Sequence, residues 1–169
     1  TLNTIYQPGS EDITAEQSEL TLELFSDASC DSIYADTLLL NIARKPVVEA
    51  GADTALCGQV SHSIDGAAAQ HHDSLAWSSS GTGTFAAADA LEPVYTPSGF
   101  DMDQGSVELI LTAFKAHCTV VSDTLAIDLY RTPQVELQEQ AFICSDETYA
   151  TDPPVAEHYQ ALQWTASGD

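Results

Sequence analysis

Hydrophobic and polar positions alternate along four stretches of this chain. Val107, Leu109, Leu111 and Ala113 alternate with Glu108, Ile110 and Thr112, and Leu20, Leu22 and Leu24 alternate with Glu19, Thr21 and Glu23. A period of two marks a half-buried strand, because successive side chains of an extended chain point to opposite faces. Leu125, Ile127 and Leu129, mirrored by Leu38, Leu40 and Ile42, predict two more. Shorter apolar clusters lie at Val47-Val48, from Ser61 to Ala67, from Leu75 to Trp77, at Phe85 and at Val94-Tyr95. Turn residues separate them: Gly51-Ala52-Asp53, Gly58, Ser80 to Gly83, Pro97-Ser98-Gly99 and Asp101 to Gly105. No segment carries a convincing helical period.

The mirrored strands belong to a repeat. At an offset of 87 residues, Trp77-Ser-Ser-Ser-Gly81 falls on Trp164-Thr-Ala-Ser-Gly168, Cys57 on Cys144, His71 on His158, Arg44 on Arg131, Pro46 on Pro133 and Asp36-Thr-Leu38 on Asp123-Thr-Leu125. Upstream, Leu2 to Pro8 matches Leu91 to Pro97 at an offset of 89, and Cys30 matches Cys118 at 88, so the small insertions sit in loops. The register divides the chain into residues 1–45, the C-terminal half of a repeat, 46–132, a complete repeat, and 133–169, the N-terminal half of a following one. By internal homology a loop of about seven residues would join one such unit to the next.

Seven or eight short strands per repeat, with one central Trp, is the pattern of an immunoglobulin-like sandwich with Trp77 between its sheets. The expected fold is therefore all-β: tandem immunoglobulin-like β-sandwiches, one complete and two halves completed by neighbouring units.

Several strings carry a more specific likeness: Trp77-Ser-Ser-Ser-Gly-Thr-Gly-Thr-Phe85, Leu91-x-Pro-x-Tyr95-Thr-Pro-Ser98, Asp101-x-x-x-Gly-Ser-Val107, and Cys118 followed by Val121-Ser-Asp-Thr-Leu125. Together they resemble the tandem Ig-like or PKD-like repeats of large secreted surface proteins and adhesins of Bacteroidota. The resemblance spans the chain in two copies, departing where Glu16 stands in place of Gly105. It implies an extracellular or cell-surface location and many repeats in one continuous chain, with strand complementation between separate chains as the alternative. It implies no particular ligand.

Charge narrows the partners. With 26 acidic residues against 4 basic, the net charge is −22, a field that opposes binding to phosphate backbones or anionic lipid. No apolar run is long enough for a membrane helix, so neither nucleic acid nor membrane insertion is expected. The charge reads as a solvated surface, with weak calcium collection at repeat junctions as the sharper alternative.

The four cysteines lack CxxC spacing, which disfavours zinc and leaves pairing, in an oxidising compartment, against free buried thiols. Taken to lie towards one end of the sandwich, Cys57 and Cys118 are expected to form an in-domain bridge. Cys144 and Cys30 of a following unit stand at nearly the same spacing and are expected to form its equivalent across the junction.

Asp101 and Asp103 imitate the start of a calcium loop. Thr112 at its twelfth position and Asp12-Ile-Thr-Ala-Glu16 in the other copy favour a structural turn, so these two are weak metal candidates only. The histidines, including the His71-His72 pair, read as surface polar residues. Ser80 to Gly83 lacks the Lys and helix of a phosphate cradle and reads as a hairpin loop. No nucleophile or metalloenzyme motif occurs, so neither catalysis nor a cofactor is expected. Asp-(Ser/Thr)-aliphatic triplets, common beyond chance, place Ser32, Thr37, Thr54, Ser74 and Thr124 as O-glycan acceptors under the resemblance, or else as strand-edge chemistry. The functional expectation is a structural module of an extracellular filament or surface stalk, built head to tail from identical or adjacent units. The alternative is an adhesin module that binds a glycan or protein.

Overall fold

The computed structural model describes residues 3–26 and 33–167. In chain order its elements are α1 (Ser10–Ala15), β1 (Gln17–Phe25), β2 (Ile33–Asn41), β3 (Val47–Glu49), β4 (Thr54–Cys57), β5 (His62–Ser63), β6 (Ala68–Gln70), β7 (Ser74–Ser79), β8 (Thr84–Ala86), β9 (Val94–Thr96), α2 (Gly99–Gln104), β10 (Ser106–Phe114), β11 (Val121–Tyr130), β12 (Gln134–Glu136) and β13 (Val155–Glu157). The fold is all-β with an immunoglobulin-like sandwich at its centre.

That sandwich runs from β3 to β11. One layer has the order β4-β11-β10-β7, with β4 parallel to β11 and the other pairs antiparallel. The strands β3-β6 and β5-β9-β8 form the facing layer. The alternation in residues 107–113 does what its period requires: Val107, Leu109, Leu111 and Ala113 are buried, as are Leu125, Ile127 and Leu129 opposite them. Trp77 on β7 fills the space between the layers beside Phe85, and its indole N–H donates to the carbonyls of Ala90 (3.1 Å) and Leu91 (3.3 Å). A buried indole thereby gains packing without an unsatisfied donor.

Two details correct the strand pattern read from the sequence. The repeat has nine strands rather than seven or eight, because the short β4 was not foreseen and a separate strand, β6, follows the Ser61 to Ala67 cluster. It also has a one-turn helix, α2, where only a turn was expected. The signal for α2 was present: Ser98 caps it by accepting the Asp101 amide at 3.1 Å, Asp101 reaches back to the Ser98 amide at 2.8 Å, and Gly105 ends it in a left-handed conformation (φ 77°). This is a capping box followed by a glycine stop.

The chain enters this sandwich at Pro46 and leaves at Arg131. The β10–β11 connection, residues 115–120, lies at the entry pole with Ser74 and Asp123, while α2, Gly58 and Tyr130 lie at the exit pole.

On either side, the same local structures recur without their cover. The β1–β2 hairpin pairs Leu20 with Leu38 and Leu22 with Asp36, as β10–β11 pairs Leu109 with Leu125 and Leu111 with Asp123. The β12–β13 pair holds Gln134 opposite Glu157 and Glu136 opposite Val155, the register of Val47 with Gln70 and Glu49 with Ala68. His71 and His158, equivalent across the repeat, share a positive φ of 56° and 57°. Yet Leu22 is 75% exposed where its counterpart Leu111 is fully buried, and Trp164 is 54% exposed where Trp77 is 5%.

A paired measurement follows from this contrast. Leu111→Ala is expected to cost about 3 kcal/mol in denaturant unfolding of the central sandwich, as large-to-small changes in a packed core do. Leu22→Ala, at the equivalent position, is expected to leave that transition unchanged.

Candidate functional site

The sandwich holds one buried carboxylate, and its surroundings are tightly built. Asp101 is 1% exposed. Its Oδ1 accepts the Thr82 amide at 2.8 Å, and its Oδ2 accepts the Ser98 amide at 2.8 Å and the Tyr95 hydroxyl at 2.9 Å. Burial pushes the Asp101 pKa up, but the donors from Ser98, Thr82 and Tyr95 together push it down by more, so it lies below the ordinary 3.8. Burial and the adjoining carboxylate raise the Tyr95 hydroxyl above its usual 10.0.

The glycines of the Ser80 to Gly83 loop are explained by the same cluster. A Cβ on Gly81 would run into the Asp101 carboxylate, and one on Gly83 into the Tyr95 hydroxyl. The loop is glycine-rich because its backbone must lie directly against this pair. Tyr6 and Asp12 repeat the arrangement in the preceding copy: the Tyr6 hydroxyl donates to Asp12 Oδ2 at 2.6 Å and the Gly9 amide donates to the same oxygen at 2.8 Å. There it is open to solvent, with no counterpart of the Ser80 to Gly83 loop over it among the described residues.

Asp101 and Asp103, the two weak metal candidates, are not brought together. Asp101 points inward with both oxygens engaged, and Asp103 pairs with Arg131 at the exit pole. Among the described residues no group of three or more His, Cys, Asp or Glu side chains is assembled to hold an ion. His71 and His72 lie in the β6–β7 connection rather than in a strand, so strand alternation does not decide which way they face.

The in-domain bridge between Cys57 and Cys118 is not formed, and both are free thiols together with Cys144. The reason is β4. Its parallel run beside β11 carries Cys57 to a position opposite Tyr130 at the exit pole, whereas Cys118 lies in the β10–β11 connection at the entry pole. The length of β11 separates them by about 30 Å, at about 3.3 Å per residue. A disulfide spans at most about 7 Å between Cα atoms. Cys30, expected to bridge to Cys144, lies outside the described residues.

Of the triplet hydroxyls, Thr37, Ser74 and Thr124 are exposed and Thr54 is half-buried, while Ser32 lies outside the described residues. The aspartates of these triplets have structural work. Asp53 accepts the Ala126 amide at 2.8 Å, Asp73 the Ala116 amide at 2.9 Å and Asp123 the Ala50 amide at 2.8 Å. Each ties a strand end to a neighbouring segment, which gives the recurrent Asp a reason of its own.

The remaining candidate surface is the apolar face of β1–β2, where Leu22, Leu24, Leu38 and Tyr34 are exposed on one side of the hairpin. Its counterpart in residues 133–167 is an open groove lined by Leu137, Tyr149, Pro154 and Trp164. Contiguous exposed apolar faces of this kind mark interaction surfaces.

No family model matches the chain, and no curated protein does. It is similar to a solved structure of protocadherin gamma B7 extracellular cadherin domains 1–4, at 11% sequence identity and a TM-score of 0.40, over 77% of this chain and 37% of that one. The present chain thus spans little more than a third of that chain's length.

Asp101→Asn tests the buried cluster. Asparagine offers one acceptor oxygen to three donors and adds an amine among them, so a loss of about 2–4 kcal/mol is expected at neutral pH. Because the folded pKa of Asp101 lies below 3.8, its contribution is present above that pH and is lost as the pH falls through the folded value. Denaturant unfolding of both proteins from pH 7 to pH 3 should therefore show the gap between them narrowing below about pH 4.

Proposed function

We propose that this chain is a structural segment of an extracellular filament or surface stalk, built from immunoglobulin-like repeats joined head to tail. The observation that supports the reading is the identical register of β1–β2 and β10–β11, one hairpin bare and the other covered. What covers β10–β11 comes from residues 46–96, and residues 133–169 are the copy of the first part of that segment, 46–82. The occupant of the β1–β2 face is accordingly residues 133–169 of a neighbouring unit, with Trp164 taking the place that Trp77 has in the complete repeat.

The complete repeat favours a stalk over an adhesin. Trp77, Phe85 and Tyr95 face the core, where they serve packing rather than recognition. The acidic surface keeps such an array soluble, and the exposure of Thr37, Ser74 and Thr124 is compatible with glycan attachment there. Among the described residues no helix is long and apolar enough to cross a membrane. Entry and exit at opposite poles make the contact heterologous, which extends into an open line unless the rotation between units closes a ring.

Light scattering on the 169-residue chain tests this. Mass is expected to rise with concentration in steps of 18.0 kDa, with Trp164 emission shifting to the blue. Leu22→Glu, at an exposed position, should abolish the association and leave the central sandwich folded. A chain that stays monomeric at millimolar concentration with Trp164 in solvent would overturn the reading.

A further inference from the structure

The cysteines that cannot meet within one repeat are placed to meet across two. Cys57 ends β4 in register with Tyr130, and the amide that follows it, on Gly58, donates to the Tyr130 carbonyl at 2.7 Å. Cys118 at the opposite pole rests its Sγ 3.6 Å from the carbonyls of Ala43 and Arg44. Ala43 and Arg44 are the counterparts, one repeat earlier, of Tyr130 and Arg131. The carbonyl that Cys118 touches is therefore the copy of the one that holds the end of β4. In a preceding repeat folded like the central one, a copy of Cys57 would be paired with Ala43, the residue whose carbonyl the Cys118 thiol touches.

The surroundings agree. Arg44 bonds the Ile13 and Thr14 carbonyls at 3.3 Å and pairs with Glu16, which closes α1, and Arg131 pairs with Asp103 of α2, so each exit pole is built alike. The Asp73 carboxylate raises the Lys115 pKa, and Glu16 adds to it from across the junction, so the loop bearing Cys118 faces the preceding exit pole. Cys57 is exposed at its own pole and open to a partner.

We propose that each Cys57-type cysteine forms a disulfide with the Cys118-type cysteine of the next repeat, stapling successive sandwiches together. The proposal rests on the head-to-tail reading given above. Cys144 is the second residue of the first type and Cys30 of the second, so Cys57 pairs with Cys30 of the following unit and Cys144 with Cys118 of the following unit. Formation needs a low-molecular-weight disulfide as oxidant. One cysteine thiolate attacks it and releases one thiol; the partner thiolate then attacks the mixed disulfide and releases the second. Two protein thiols are oxidised, and one disulfide is reduced to two thiols.

The test uses the 169-residue chain at millimolar concentration in a buffer of oxidised and reduced glutathione, followed by alkylation. Light scattering reports association, and digestion at acidic residues without reduction reports linkage. The expected result is a covalent ladder containing Cys57–Cys30 and Cys118–Cys144 peptides. Cys57→Ser should remove the first linkage and leave the second. Association with the thiols unpaired, or with Cys57 linked to Cys118 or Cys144 to Cys30, would overturn the bridge while leaving the head-to-tail reading standing. A chain that remains monomeric would overturn both.

Discussion

A two-stranded hairpin with one apolar face cannot keep that face in water, and the organisation of this chain follows from that constraint. An isolated hairpin is marginal at best, and burying one leucine side chain contributes about 1.5–3 kcal/mol. In the complete repeat the β10–β11 hairpin satisfies the constraint within about 85 residues, since the strands preceding it in sequence fold back over Leu109, Leu111, Leu125 and Ile127. In β1–β2 the same pairing, with the same side chains pointing the same way, is left uncovered among the described residues. Pairing is thus encoded locally in the hairpin, while stability is supplied by a segment that precedes it in its own repeat.

The buried carboxylate of Asp101 makes the cover specific. Its three donors come from the loop after β7, from the middle of β9 and from the cap of α2, so one side chain fixes three segments to one another. Burying a charge without such partners would be costly, and satisfying it from three segments turns that cost into a geometric requirement. The Tyr6 and Asp12 pair shows the part of this arrangement that is local: tyrosine, helix and aspartate assemble without cover, while the donor from the preceding loop is missing. In the complete repeat the apolar face supplies the burial, and the carboxylate fixes the geometry of the segments that cover it.

Much of this was legible in the sequence, and the boundary of legibility has a physical basis. Alternation gave the long strands because their two faces differ in solvent. Self-comparison gave the repeat because Trp, Cys, His and Pro are too uncommon to coincide by chance. The short β4 escaped because Thr54 to Cys57 has neither an alternating pattern nor β-branched density, and it pairs in parallel with a strand about 70 residues away. Missing it put Cys57 at the wrong pole and produced an in-domain bridge that the structure does not allow. The site at Asp101 was half visible: the capping box could be read from Ser98-x-x-Asp101, whereas its contact with Thr82 depends on tertiary approach. The glycines of the 80–83 loop were seen as a turn, and only the packed structure shows that they make room for a carboxylate and a hydroxyl.

The placement of positive charge bears on how an acidic chain can be built end to end. Repeats as acidic as these repel one another, and that repulsion is greatest where two poles meet. Only Arg44, Lys45, Lys115 and Arg131 are permanently cationic, and all four lie at the poles. Arg44 and Lys45 sit in the connection before the sandwich, Lys115 in the loop at its entry, and Arg131 at its exit. Their ion pairs are exposed, and such pairs contribute less than about 1 kcal/mol each to folding. Their position matters more than their strength: each lowers the charge at a junction, where acidic surfaces must approach, and leaves the flanks of the sandwich fully acidic. Salt screens what remains over about 8–10 Å, so flanks repel neighbouring chains at close range while poles can touch. The same distribution that disfavours lateral clumping thus leaves end-to-end contact as the low-repulsion direction of approach.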